Sequence, residues 1–388
     1  MVQIHSGPPF FLYGVLAQLG ECLRRMQEVG SSILLGSTIG IVWLLVGVAF
    51  FVLRGIHMAS KRKRGGEHWL LHSLDGLAYG VFVSIVLGQL LITLGNEIGW
   101  SDGVSWGESI RTLAGPAIGI GVAWASGTSG LTLLCAALTG AILSGSGAGW
   151  VLLAYLAVLV SVVCSRLIEG KTPIDIFLIP ILSIALALLM ARFIAPYVNW
   201  LVSWLAVQIG RCLGYQTIWM SMLVAAVMGL VSLSPIMAVS LSALLGLDGL
   251  AAGAAIAGIC SQMLGLAIMS VDDNDMGDVI AIGIGTPLLQ FKNVLLHPLI
   301  LIPTLLTSLV TGPLSACVFQ LSGNATGAGM GMTALAGPLS IVSVMGPDAW
   351  LGIIIVDILL PIFISYSFYR LFKKLGWIHP GDLKVSRL

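Results

Sequence analysis

Apolar residues run along this chain in blocks, and the blocks are interrupted far more often by glycine and proline than by charge. A helix that crosses the hydrocarbon core of a bilayer needs about 20 mostly apolar residues. Stretches of that kind occur at 31–53, 70–94, 149–165, 173–195, 217–233, 249–270 and 350–370. Four further stretches, 112–147, 197–213, 234–247 and 279–345, are just as apolar but are broken by Gly, Pro and polar side chains. The first group predicts continuous spans. The second predicts short, kinked or re-entrant segments, because backbone leaves the helix at membrane depth only where protein or a cavity satisfies its polar groups. The expected architecture is an all-α polytopic membrane protein with about ten transmembrane or re-entrant segments.

Composition agrees. Of 388 residues 57% are hydrophobic and 9% are charged, against about 25% charged in a soluble domain, so the surface cannot be covered for water and lipid must solvate it. A net charge of +1 writes no global attraction to nucleic acid into the chain. Local charge sets orientation. "RGIHMASKRKRGGEH" carries Arg54, Lys61, Arg62, Lys63 and Arg64, whereas "NEIGWSDGVSWGESIR" is mostly acidic with the single Arg111. The first loop is therefore expected in the cytoplasm and the second outside, with the basic tail of Arg370, Lys373, Lys374, Lys384 and Arg387 again cytoplasmic. The N-terminal stretch lacks the order of a cleaved signal peptide and reads as an amphipathic or half-inserted helix with Arg24 and Arg25 in the headgroup layer. Six single cysteines, Cys22, Cys135, Cys164, Cys212, Cys260 and Cys317, show no CxxC pair and read as small buried hydrophobes.

Helix breakers suggest an internal repeat. Gly115-Pro116, "AALTGAI", Thr172-Pro173 and Ile179-Pro180 recur as Ser234-Pro235, "AAIAGI", Thr286-Pro287 and Ile302-Pro303. The interval from proline to the central glycine is 24 residues (116 to 140) in one copy and 23 (235 to 258) in the other. Paired segments interrupted at matching positions mark transporter folds; frequent Gly and Pro for packing is the competing account. The chain divides on this reading into N-terminal membrane segments with the basic loop (1–110), a core (111–345, repeats about 115–205 and 234–320) and a C-terminal span with its basic tail (346–388).

Polar groups in lipid are costly and gather at cavities or on one another. They are densest in the second half: Gln262 on a small-residue helix, the acidic turn Asp272, Asp273, Asn274, Asp275 and Asp278, then Thr286, Gln290, Lys292, Asn293 and His297, then Asn324, Thr326 and Thr333. The acidic turn lacks the ligand spacing of an EF-hand and reads as a solvated turn or as a cation or solute mouth. "GNATGAGMGMTALAG" lacks the Gly-Lys-Ser/Thr of a phosphate loop; its glycines either free backbone for a ligand or allow tight packing. His297 has no acid near it in sequence, so no hydrolytic constellation is visible. Asp75, Asp175, Asp248 and Asp357, each in or beside an apolar segment, are candidates for binding protons or sodium. No metal set and no cofactor is expected.

From about 170 to 345 the chain resembles the integral membrane IIC component of the bacterial phosphotransferase system, in the branch that includes PfoR-type regulator membrane proteins. The resemblance rests on "KTPIDIFLIP", "SPIMAVSLSALLGLDGLAAGAAIAGICSQMLGLAIMS", "GIGTPLLQFKN" and "GNATGAGMGMTALAGP". The family pattern falls here on Met269, Ser270, Asp273, Asn274, Gly283, Gly285, Thr286, Leu289, Gln290 and Asn293. Pro287, Ile282 and Lys292 stand where serine, glutamine and proline are usual, and Met332 and Ala334 alter the later glycine-rich motif.

The resemblance implies an EIIC-like permease fold in a bacterial cytoplasmic (inner) membrane, a homodimer, and separate IIA/IIB partners, since this chain carries neither. A small polar solute, a sugar or sugar acid, is expected among segments 262–297 and 324–338. Gln262, Asn274, Thr286, Gln290, Asn293, His297 and Thr333 would offer neutral hydrogen bonds and Lys292 a charge. The alternative is a sensor or regulator that keeps the fold, binds a ligand and passes the signal to a partner without flux.

Overall fold

A computed structural model describes residues 68–386 except Ser129 and Thr172. The span at 31–53, the basic loop at 54–64, Arg24, Arg25 and Cys22 lie outside the described residues. Among those described, regular structure is helical, apart from one antiparallel bridge between Gly249 and Gly323.

The chain opens with a rod made of α1 (His68–Val81), a π turn (Phe82–Val86) and α2 (Leu87–Ile98). After α3 (Ser101–Thr112) come two short apolar helices, α4 (Ala114–Ala125) and α5 (Leu131–Leu143), then the span α6 (Trp150–Ile168). α4 crosses both α1 and α5 at glycines. A methyl on Gly121 would strike the Gly76 carbonyl, and one on Gly140 the Gly115 carbonyl, so these helices approach backbone to backbone.

The predicted span at 173–195 proves longer. α7 (Asp175–Leu189), a π turn (Met190–Ile194) and α8 (Ala195–Cys212) form a single rod of 38 residues, so 197–213 is not a separate broken segment. Pro196, the second residue of α8, comes just after the π turn, where a missing N–H costs little. Little of this rod is buried, as suits a lipid-facing outer wall.

The second half is built around α11 (Gly249–Met269), buried along most of its length. Its small residues admit neighbours closely: Gly258 abuts the Ala225 carbonyl on α9 (Thr217–Ser232), Gly253 the Leu321 carbonyl, and Gly265 the Ser365 hydroxyl. α14 (Leu301–Pro313), which belongs to a continuous span Pro298–Val318, and α18 (Leu360–Lys374), which the short α17 (Trp350–Ile353) and a π turn precede, complete the surround. That span lies inside the stretch expected to be broken; Pro303 falls in its first turn and Pro313 is absorbed by a π turn (Leu314–Val318).

Two hairpins enter from opposite ends of α11. The first consists of α12 (Met276–Ile280), a π turn (Ala281–Gly285), extended Thr286, a 3-10 turn (Pro287–Gln290) and α13 (Phe291–Leu296). Its two ends flank the C-terminal residues 381–386, through Asp273 on one side and His297 on the other. The second consists of α15 (Ala325–Met330), a 3-10 turn (Thr333–Leu335) and α16 (Ala336–Met345). Its ends close on each other where the Ser322 N–H meets Met345 Sδ, beside the Gly249–Gly323 bridge at the start of α11. The two tips touch. The stretch 279–345, expected to be short, kinked or re-entrant, is broken into these hairpins around the span Pro298–Val318.

Candidate functional site

The hairpin tips and the break ahead of α10 (Ala238–Leu245) line a cavity of about 90 Å3 beside the middle of α11. Thr286 comes from one tip, Thr333 from the other, and Ser232 and Ser234 from the break; Ile85, Ile259, Met263 and Leu288 supply apolar wall. Thr286 Oγ1 accepts the Leu288 N–H at 3.3 Å, which caps the 3-10 turn and leaves the hydroxyl hydrogen free to donate. Among the described residues Thr333 Oγ1 donates only to Met263 Sδ, at 3.8 Å, a weak acceptor that a better one displaces at little cost.

The tip that carries Thr333 is conformationally unusual. Ala334 and Leu335 hold φ of 49° and 60°, a region that non-glycine residues occupy at a cost of about 1 kcal/mol or more each. Such backbone persists where surrounding packing enforces it and concentrates at binding sites.

Towards the far end of the bundle the cavity shares Ile85, Met237 and Val239 with a groove of about 380 Å3 that also takes in Glu108, Arg111, Thr112 and Ser240. Beside it lies a polar pocket of about 140 Å3 between α2 and the second hairpin, with Gln89, Thr93, Asn324, Thr326 and Ser340 in its wall. Arg111 Nη1 donates to Gln89 Oε1 at 3.1 Å and Gln89 Nε2 to Thr93 Oγ1 at 3.4 Å. These hydrogen bonds tie the groove to the pocket. Gln89 was not among the candidates from sequence; a lone amide inside "VLGQLLITLG" was the available signal, since amides are rare in apolar spans without a reason.

The remaining predicted residues face elsewhere. Gln262 is sealed inside the bundle, its Oε1 accepting from Thr304 at 2.7 Å and its Nε2 without a partner among the described residues. Asn274, Gln290, Lys292, Asn293 and His297 converge on the C-terminal segment. Asn274 Oδ1 accepts the Val385 N–H at 2.7 Å, and its Nδ2 donates to the Leu383 carbonyl at 2.8 Å. Gln290 Nε2 reaches the same carbonyl at 2.8 Å, and Asn293 Nδ2 the Lys384 carbonyl at 3.0 Å. Lys292 Nζ lies 2.6 Å from Asp75 Oδ2 and 2.8 Å from Ser386 Oγ. His297 Nδ1 is 3.4 Å from Asp382 Oδ1. Of the eight predicted residues, the structure brings only Thr286 and Thr333 to the cavity.

No group of three or more His, Cys, Asp or Glu with metal-binding spacing occurs among the described residues. Asp357 is fully buried on a π turn (Ile354–Leu359), and neither of its oxygens has a partner among those residues.

Opposed hairpins that meet at a cavity within a bundle of apolar spans are the arrangement expected of a multi-pass membrane transporter. The profile of the family described as "Phosphotransferase system, EIIC" matches residues 71–385, and the chain belongs to that family. It is thus a membrane transport component of the phosphotransferase system, a class of membrane-embedded proteins that work with cytoplasmic IIA and IIB partners. Comparisons with curated proteins and with solved structures returned no match.

Proposed function

We propose that this chain binds and translocates a small polar solute, a sugar or sugar acid, across a bacterial cytoplasmic membrane, with separate IIA and IIB proteins at its cytoplasmic face. The observation that carries the reading is the pair of hydroxyls, Thr286 and Thr333, presented to one cavity from two opposed hairpin tips. Two unsaturated donors across an apolar-walled space suit a polyhydroxylated ligand, and the Arg111–Gln89 pair in the adjoining groove and pocket suits a carboxylate.

At about 90 Å3 the cavity holds roughly three waters, well short of the roughly 300–1,000 Å3 of small-molecule sites. A sugar does not fit the space as described, so translocation requires the hairpins to part.

Uptake of radiolabelled hexoses, hexitols and sugar acids into proteoliposomes tests this. One of them should be taken up, and Thr286→Val or Thr333→Val should each weaken its binding about 5–10-fold, the loss expected for about 1 kcal/mol of hydrogen bonding. Binding of a solute without flux, with and without IIA and IIB, would favour the sensor reading. Binding unchanged in both variants would remove the cavity from the site.

A further inference from the structure

The polar residues of the family-like pattern grip a peptide. Asp273 accepts the backbone N–H groups of Gly381 and Leu383 at 2.9 and 3.3 Å, and Asn274, Gln290 and Asn293 hold the carbonyls and the N–H that follow. All four partners belong to the loop before the first hairpin or to the hairpin itself. The tail they hold is not a surface strand: Leu383 is fully buried and Val385 nearly so, in the same core as Leu289 and Val294 of the hairpin. At its far end Ser386 is tied to α1, through Tyr79 and through the Lys292–Asp75 pair. The family match runs to residue 385, so it includes this segment.

The mechanical consequence follows from helix length. α12 and α13 have five and six residues, too short to hold themselves as helices, so the hairpin is kept in place by what it packs on. The C-terminal segment is continuous with α18 and pinned to α1, and it thereby ties the hairpin to two spans. The tip of that hairpin, Thr286 to Leu288, is a wall of the cavity. A swing of that wall would have to break these contacts.

We propose that residues 379–386 are a latch: they close the cavity towards the end of the bundle that holds the basic tail, and they must leave the Asp273–Asn274–Gln290–Asn293 slot before the cavity opens there. The slot is a binding site for turn-forming peptide backbone, and its occupant is this chain's own segment 379–386. The inference rests on the permease reading for its purpose, and its test uses no solute.

The experiment uses the full chain with its six native cysteines replaced by alanine and Thr333→Cys added, in inside-out membrane vesicles, with a membrane-impermeant maleimide as the probe. Hydrogen exchange by mass spectrometry follows the amides of 381–385 in parallel. With the C-terminal segment intact, those amides should be protected and the introduced thiol should label slowly. Asn274→Ala with Asn293→Ala should release the segment and speed labelling at least tenfold. A variant ending at Ile378 should do the same, and normal elution of either variant in detergent establishes that the bundle has folded. Labelling unchanged after the amides are released would make the segment a passive strap and overturn the latch. Amides that stay protected in the double variant would overturn the slot. Tail-dependent labelling in a protein that takes up no solute would sink the permease reading and leave the latch standing.

Discussion

At the scale of single residues, Lys292 is the clearest case of a side chain whose role depends on what faces it. By sequence it is a lone cation in an apolar stretch and a natural ligand for an anionic solute. In the fold its ammonium lies against Asp75, with both side chains largely buried. Removing Lys292 leaves the buried Asp75 carboxyl with His72, 3.3 Å away, as its remaining charged neighbour, and breaking such a pair costs up to about 3–5 kcal/mol. Lys292→Met should therefore lower the melting temperature in detergent sharply, and Asp75→Asn added to it should restore most of the loss. A single variant as stable as the parent would show that the pair is not formed. Asp357 is the converse case, a buried carboxyl with no partner among the described residues. Replacing a buried polar group that has no partner removes its desolvation cost, so Asp357→Leu should melt no lower than the parent; a marked loss would show a partner for this carboxyl.

At the scale of elements, small residues govern how closely the central helices pack. α11 meets α9 with Gly258 against the Ala225 carbonyl, closer than any β-carbon allows. Gly258→Val should destabilise the protein by about 1–3 kcal/mol through overpacking, measured by thermal unfolding in detergent, while Gly277→Ala, with open space around it, should leave stability within about 0.5 kcal/mol. The polar pairs on the same faces, Ser261 with Thr311 at 2.8 Å and Thr307 with Ser365 at 2.8 Å, join α11, α14 and α18 into one bundle. The existence of continuous spans such as 249–270 and 350–370 was legible from hydropathy alone. The 38-residue rod and the span Pro298–Val318 were not, because Pro196, Pro303 and Pro313 look like breaks in a string of letters. In space each sits in a first turn or is absorbed by a π turn, where its missing hydrogen bond costs little.

At the scale of the whole molecule, α11 gives the bundle two ends. Asp273, Lys373 and the C-terminal segment share one of them, and Asp102, Asn324 and Gly323 lie towards the other. The basic end should face the cytoplasm. In intact cells, Lys374→Cys should resist an impermeant maleimide that labels Asp102→Cys, and in inside-out vesicles the order should reverse; the opposite pattern would invert the orientation.

The sequence by itself determined that the chain is solvated by lipid, that it is helical, that stretches such as 249–270 and 350–370 are long apolar helices, and that Thr286 and Thr333 sit in breaks where backbone can leave the helix. Those properties are local, being set by windows of about 20 residues and by the conformational limits of Gly and Pro. Only the tertiary structure decided what the polar residues of those breaks face. Gln290 and Leu383 are 93 positions apart, and Lys292 and Asp75 are 217 apart. An amide in a membrane segment must bond to something, but whether that partner is a solute in a cavity or the chain's own backbone is set by which elements the bundle packs side by side.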